Sequence, residues 1–124
     1  MIVGVGFDLF EVARLERELE REGGEFVAAA FTSEESRRCG RGRRRAQWLA
    51  ACFAGKEAVA KALALDGSLG TPWPLIEVLA RGSGAEVRLH GALGAIAARR
   101  GVRRIHLALA VARARVAASA ILET

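Results

Sequence analysis

Asp8, Glu57 and Lys61 are the residues of this chain whose types and setting suit chemistry best. Positive charge is carried by 17 arginines and only two lysines, and both lysines, Lys56 and Lys61, fall inside Phe53-Ala-Gly-Lys-Glu-Ala-Val-Ala-Lys-Ala-Leu63. An ammonium group is a compact point charge that approaches a phosphate or a crowded metal site without the planar fork of a guanidinium. The acids are similarly skewed, with 12 Glu against two Asp, one of them Asp8 in Val3-Gly-Val-Gly-Phe-Asp-Leu9. A carboxylate on a first strand and another on a helix can converge on one hard cation. Mg²⁺ takes oxygen ligands, usually one or two carboxylates, with water and substrate phosphate completing its shell. Lys61, one turn beyond Glu57, can then meet a phosphate. The same residues also allow a plainer reading, in which Asp8 caps a following helix and Glu57 and Lys61 form a surface pair contributing about 0.2–0.5 kcal/mol.

The other polar clusters are less specific. Arg14, Arg17 and Arg21 share one helical face, suited to docking an acidic helix, although Glu16, Glu18, Glu20 and Glu22 interleave with them. Residues Arg37 to Arg45 hold six arginines in nine positions, a loop able to bind nucleotide phosphate or nucleic acid or simply to be solvated. No nucleic-acid-binding signature accompanies it. Lys56 falls nearer the middle of an apolar stripe, where the expectation is an alkyl stem that carries its charge out to water. His90 and His106 alternate with apolar residues and read as partly buried structural histidines. The glycines at 4 and 6 lack the rest of a dinucleotide fingerprint.

These residues need elements to hold them. Met1 to Phe7 reads as a buried strand with Asp8 at its carboxyl end. Glu11 to Glu22 reads as a helix with Val12, Leu15 and Leu19 as its apolar stripe, stopped by Gly23-Gly24. Phe26 to Phe31 is a short helical piece. Thr32-Ser-Glu-Glu35 has the spacing of a capping box that opens a helix to about Arg38. The longest helix runs from about Arg44 to Leu65, with Leu49, Phe53, Ala60 and Leu63 on one face. A Gly- and Pro-rich loop, Asp66 to Pro74, follows. Leu75–Leu79 and Glu86–Leu89 read as strands joined by a turn at Arg81-Gly-Ser-Gly84, and Gly91–Arg100 as a helix closed by Gly101. Ile105–Ala110 and Val116–Leu122 read as a strand hairpin, with helix as the alternative for such alanine-rich stretches. The expected class is α+β, in the order β-ααα-α-ββ-α-ββ, with an antiparallel sheet packed on a long central helix.

At 124 residues the chain is expected to form one domain, 1–124. No apolar run approaches the roughly 20 residues of a membrane span and no signal-peptide pattern is present, so the cytoplasm is the expected location and no membrane partner is expected. Cys39 and Cys52 lack Cys-x-x-Cys spacing and read as reduced thiols. The net charge of +5 predicts acidic partners.

Taken as a set, several segments resemble a family. Gly4-Val-Gly-Phe-Asp-Leu-Phe-Glu-Val12, Phe31-Thr-x-x-Glu35, Leu49-Ala-x-x-Phe-Ala-Gly-Lys-Glu-Ala-Val-Ala-Lys-Ala-Leu63, Trp73-x-x-Ile-Glu-Val78 and Gly101-Val-x-x-x-His106 are similar, in order, to the holo-[acyl-carrier-protein] synthases, the small bacterial 4′-phosphopantetheinyl transferases. The resemblance implies that fold, and transfer of the phosphopantetheine arm of coenzyme A to a serine of an acidic apo acyl carrier protein, a step serving fatty acid biosynthesis. It implies release of adenosine 3′,5′-bisphosphate and a homotrimer with active sites between subunits. It implies Mg²⁺ (or Mn²⁺) on Asp8 and Glu57, with Asp8, Glu57 and Lys61 catalytic. It implies coenzyme A contacts from Lys61, Arg45 and His106, and carrier docking on Arg14, Arg17 and Arg21. Nucleic acid is not an implied partner. The chain departs from the pattern at four places: Cys52 where many relatives have Arg, Ala64 where Gly is usual, the turn near Ala85 where Pro is often found, and Leu107-Ala-Leu-Ala-Val-Ala112, which lacks the usual hydroxyls, His and acid. A catalytically silent paralogue that binds coenzyme A or a carrier is the alternative reading, and a small basic nucleic-acid-binding domain a more distant one.

Overall fold

The structure, a computed structural model, describes every residue except Gly23, Ser68, Leu69, Thr71 and Ser83. Strand β1 (Ile2–Glu11) is followed by helices α1 (Val12–Glu22), α2 (Gly24–Ala30), α3 (Ser33–Arg38) and α4 (Arg45–Ala62). A 3₁₀ turn (Trp73–Leu75) leads to β2 (Ile76–Arg81) and β3 (Gly84–Leu89), then α5 (Gly91–Arg99), β4 (Arg104–Val111) and β5 (Arg115–Glu123). The expected α+β class and element order hold, and the alanine-rich C-terminal stretches are strands. Parts of the helix stop at Gly23-Gly24, of the Asp66–Pro74 loop and of the Arg81–Gly84 turn lie outside the described residues.

The five strands form one antiparallel sheet in the order β1-β5-β4-β3-β2, with β1 and β2 at its edges. Its inner face carries α4. That helix is buried on most sides, through Leu49, Ala50, Ala51, Cys52, Ala54, Ala58 and Val59. The expected single stripe is therefore too narrow: α4 is a central helix covered by the sheet and the shorter helices, so it is apolar nearly all round.

Gly4 and Gly6 make this packing possible. A methyl group on Gly6 would overlap the Ala58 carbonyl oxygen, and one on Gly4 the Ala62 carbonyl. The Gly-x-Gly pair is thus the contact that lets the α4 backbone lie directly on β1. β1 is also longer than expected. It stays paired with β5 through Asp8↔Ala118 to Glu11↔Arg115, so Asp8 stands within the strand rather than at its carboxyl end. Alternation continues because Phe10 still fills the core while Leu9 faces outward.

Lys56 departs furthest from expectation. Its side chain does not reach water but is fully buried, with Nζ 2.7 Å from Glu35 Oε2. It also donates to Glu35 Oε1 (2.8 Å) and to the carbonyls of Trp73 (2.8 Å) and Ile76 (2.6 Å). The surrounding core leaves the stem no route out, and four oxygens replace the lost water. Burial pushes the Lys56 ammonium below its ordinary pKa, against the upward pull of Glu35. Glu35 completes the expected capping box, its Oε1 accepting from the Thr32 amide at 2.8 Å while Thr32 Oγ1 accepts from the Glu35 amide at 3.1 Å. Its Oε2 accepts from the Val78 amide at 2.7 Å. One buried ion pair therefore ties α3, α4 and the start of β2 together.

Candidate functional site

The crossing of α4 over β1 brings Asp8 and Lys61 together. Lys61 Nζ donates to Asp8 Oδ1 and to the Phe7 carbonyl, each at 2.9 Å. The Asp8 side chain is mostly buried and that of Lys61 half exposed. Asp8 points inward because it shares the parity of Gly6 and Phe10 on the strand. Glu57 lies one turn before Lys61 on α4 and feels Asp8: burial first, then the Asp8 charge, pushes its carboxyl above the usual range, while Lys61 and Arg14 pull it down. The donor set is two carboxylates, hard oxygen ligands in mutual repulsion, with an ammonium beside them. That set suits Mg²⁺ or Mn²⁺, and it leaves most of an octahedral shell to water and substrate oxygens.

A cavity of about 230 Å³ opens next to these groups, lined by Glu57, Lys61, Leu65, Gly67, Pro72 and Trp73 among others. Its Trp73 wall is held twice. The Trp73 carbonyl accepts from Lys56, and its ring lies 5.1 Å from that of Phe53, which also touches Phe10, Phe26 and Phe31. Sequence reasoning treated 66–74 as a connecting loop and missed these lining residues. The signal was its position: a Gly- and Pro-rich segment leaving the helix just after Lys61. Arg14 sits with its guanidinium 5.0 Å from the Phe10 ring centre, on the same side as Glu57.

The remaining expected residues stand elsewhere. Arg45 braces the basic loop, donating to the carbonyls of Ser36 (2.8 Å) and Gly40 (2.6 Å) and to Ser36 Oγ (2.8 Å), and it does not line the cavity. Arg37 and Arg38 both bind Glu34. Half of the basic loop's arginines are therefore engaged internally, which weakens it as a nucleic-acid surface. Arg17 is exposed on α1, and Arg21 lies 3.9 Å from Glu18. The histidines are partly buried, as expected. The side chains of His90 and His106 are about half exposed, because each points away from the core. Each meets a carboxylate at 3.2 Å, Glu77 and Glu123 respectively. His106 lies on the outer sheet face, level with Ile121 and Val5.

That outer face is strongly apolar. Val5, Phe7 and Leu9 are each about 60% exposed and sit level with Ile121, Ser119 and Ala117 on β5. Among the described residues no three His, Cys, Asp or Glu side chains cluster as a metal cage, and no helix is long and apolar enough to cross a membrane.

Comparison with known proteins agrees with this arrangement. Residues 4–117 match the model of the 4′-phosphopantetheinyl transferase superfamily. The chain is 46% identical over 84 residues to a holo-[acyl-carrier-protein] synthase of Methylobacterium radiotolerans, a match covering 68% of this chain and 62% of that protein. It is 43% identical over 111 residues to that of Desulforudis audaxviator, covering 88% and 83% of the two chains. The structure of the Mycobacterium tuberculosis acyl carrier protein synthase superposes with a TM-score of 0.73 at 34% identity, covering 100% and 99%. That of the Bacillus anthracis holo-(acyl-carrier-protein) synthase in complex with CoA (3′,5′-ADP) superposes with 0.77 at 25% identity, covering 100% and 98%.

Proposed function

Because the chain belongs to the 4′-phosphopantetheinyl transferase superfamily, we propose that it moves the phosphopantetheine arm of coenzyme A to a serine of an apo acyl carrier protein. The observation that carries this reading is the meeting of Asp8, Glu57 and Lys61 beside the Trp73-walled cavity. The relatives' name supports the carrier protein as acceptor, and the Bacillus anthracis complex supports coenzyme A as donor. The bond that forms joins the serine oxygen to the β-phosphorus of coenzyme A. The bond that breaks links that phosphorus to the bridging oxygen, and adenosine 3′,5′-bisphosphate leaves.

The nucleophile belongs to the carrier, so the enzyme supplies positioning, a proton acceptor and charge. Asp8 and Glu57 would hold a Mg²⁺ or Mn²⁺ ion, which when bound neutralises the diphosphate. Lys61 would turn its ammonium from Asp8 to the leaving phosphate. The Glu57 carboxylate, on the cavity wall beside Lys61, is placed to accept the serine proton. Arg14, with Arg17 and Arg21, would receive the acidic carrier.

Neither Arg45 nor His106 lines the cavity, so a part for either at coenzyme A belongs to a site shared between subunits. The exposed Val5–Phe7–Leu9 row on an edge strand supports further copies of the same chain as its cover, in line with a homotrimer. Residues 1–124 would work as one transferase domain in the cytoplasm.

The test is mass gain on an acidic apo carrier incubated with coenzyme A, Mg²⁺ and the enzyme. The wild type is expected to modify the carrier, and Glu57→Ala to lose at least about 100-fold in rate with its circular dichroism unchanged. Substantial transfer by Glu57→Ala would remove Glu57 from the mechanism. Ala108, Ala110 and Ala112 favour the second reading, a silent paralogue; coenzyme A binding without any mass gain across a carrier panel would establish it.

A further inference from the structure

Cys39 and Cys52 take no part in the proposed reaction, yet the fold sets them side by side. Cys39 is the C-terminal cap of α3, its amide donating to the Glu35 carbonyl at 3.1 Å. Cys52 lies on α4, one turn before Lys56. Their sulfurs are 3.9 Å apart, and both residues are buried, Cys39 at 7% exposure and Cys52 at 2%. Beside them is a cavity of about 130 Å³, bordered by both thiols together with Arg38, Trp48 and Ala80. It offers space for the sulfurs to turn toward each other and for a molecule of peroxide size to reach them.

From this geometry we propose that Cys39 and Cys52 are an oxidation site, a dithiol that closes reversibly to an intramolecular disulfide with a small peroxide as oxidant. Cys39, the less buried of the two residues at 7% exposure against 2%, meets the oxidant first. Its thiol is held below the ordinary cysteine range by the Cys52 hydrogen bond, against burial, with Arg45 as a further lowering charge. The Cys52 thiol is pushed up by the same contact and by burial, so it remains a protonated partner whose sulfur also lies 3.6 Å from the Val78 carbonyl. The Cys39 thiolate takes one peroxide oxygen to become a sulfenic acid, with hydroxide leaving. Cys52 then attacks that sulfur, releasing a second hydroxide, and its thiol proton ends on water. In sum, two thiols and one hydrogen peroxide give one disulfide and two waters. The new bond would strap the end of α3 to α4 directly over the Glu35–Lys56 pair. It would lie on the side of α4 away from Glu57 and Lys61, so Cys52 acts here as a resolving thiol rather than as a phosphate contact.

The experiment treats the folded, reduced protein with a small excess of hydrogen peroxide, then denatures it and alkylates with N-ethylmaleimide for intact-mass analysis. The expected result is loss of both alkylatable thiols, a mass lower by two hydrogens, migration as a monomer without reductant, and full recovery with dithiothreitol. Cys52→Ala is expected to leave Cys39 without a resolving partner, so that it proceeds to a sulfinic acid dithiothreitol does not reverse. Wild-type protein keeping two alkylatable thiols, gaining oxygen instead of losing hydrogen, or forming disulfide-linked dimers would each overturn the proposal. These readouts need no variant to fold and do not depend on transferase activity.

Discussion

At Glu57 the chemistry of the site becomes a statement about stability. Its carboxyl is pushed above the ordinary value of 4.5, by burial first and by Asp8 next. A carboxylate with a raised folded-state pKa favours folding below the unfolded value, and that contribution is lost as pH rises through the folded one. The apo wild type is therefore expected to lose thermal midpoint relative to Glu57→Gln as pH climbs from 4.5 toward neutrality. A divalent cation shared by Asp8 and Glu57 would relieve the repulsion and bind only the folded form, so Mg²⁺ is expected to raise the wild-type midpoint with the logarithm of its concentration above the dissociation constant. Glu57→Gln should show much less of this rise, and EDTA should abolish it. A scanning calorimetry series in pH and Mg²⁺ checks both signs. Equal Mg²⁺ response in the two proteins would mean that the ion binds elsewhere.

Two features of the fold brace α4, and each has a point where one substitution reads out its logic. The first is the α3–α4–β2 junction at Glu35–Lys56. Lys56→Met removes one member of a fully buried pair and leaves a carboxylate uncompensated, which is expected to cost about 3–5 kcal/mol. The double variant Lys56→Met/Glu35→Leu is expected to recover much of that loss, because neither charge is then stranded; urea unfolding of the three proteins gives the comparison. The second is the end of α4. Ala64 is the one non-glycine among the described residues with a left-handed backbone, φ 55°. The Leu65 amide closes the helix onto the Ala60 carbonyl at 3.1 Å, the six-to-one bond of a Schellman turn. A left-handed alanine costs about 1–2 kcal/mol, and glycine loses roughly 0.5–1 kcal/mol more entropy on folding. Ala64→Gly is thus expected to stabilise the protein by about 0.5–1 kcal/mol with the transferase site unchanged, measurable as a higher urea midpoint at constant m-value.

Across the whole molecule, charge and apolar surface are segregated. Arg14, exposed on α1, stands near Glu57, while the outer face of β1, β5 and β4 shows Val5, Phe7, Leu9 and several alanines. An acidic carrier steered to α1 would gain association rate more than residence time. Reversing charge in Arg14→Glu/Arg17→Glu is expected to slow carrier association by about tenfold at low salt, with the difference shrinking as ionic strength rises. Stopped-flow association across a salt series tests this, and an unchanged low-salt rate would remove α1 as the docking face.

The local rules of the chain were readable without coordinates. The capping box at Thr32–Glu35, the α1 stripe of Val12, Leu15 and Leu19, and the order of strands and helices all follow from residue types within a few positions of one another. The pairing of Asp8 with the Phe53–Leu63 segment was readable as chemistry, since two scarce residue types were kept there. What tertiary structure alone decided depends on which distant segments touch. Lys56, near the middle of an apolar stripe, read as a stem reaching out to water until Glu35 and two carbonyls of the 73–76 turn closed around it. Gly4 and Gly6, which lack the rest of a dinucleotide fingerprint, had no assigned role until α4 lay against them. Cys39 and Cys52, thirteen residues apart, became neighbours because α3 folds back on α4. Periodicity reports which face of an element is apolar; only the packed chain supplies the partner on the other side, and burial, shifted pKa values and reactivity are properties of that partnership.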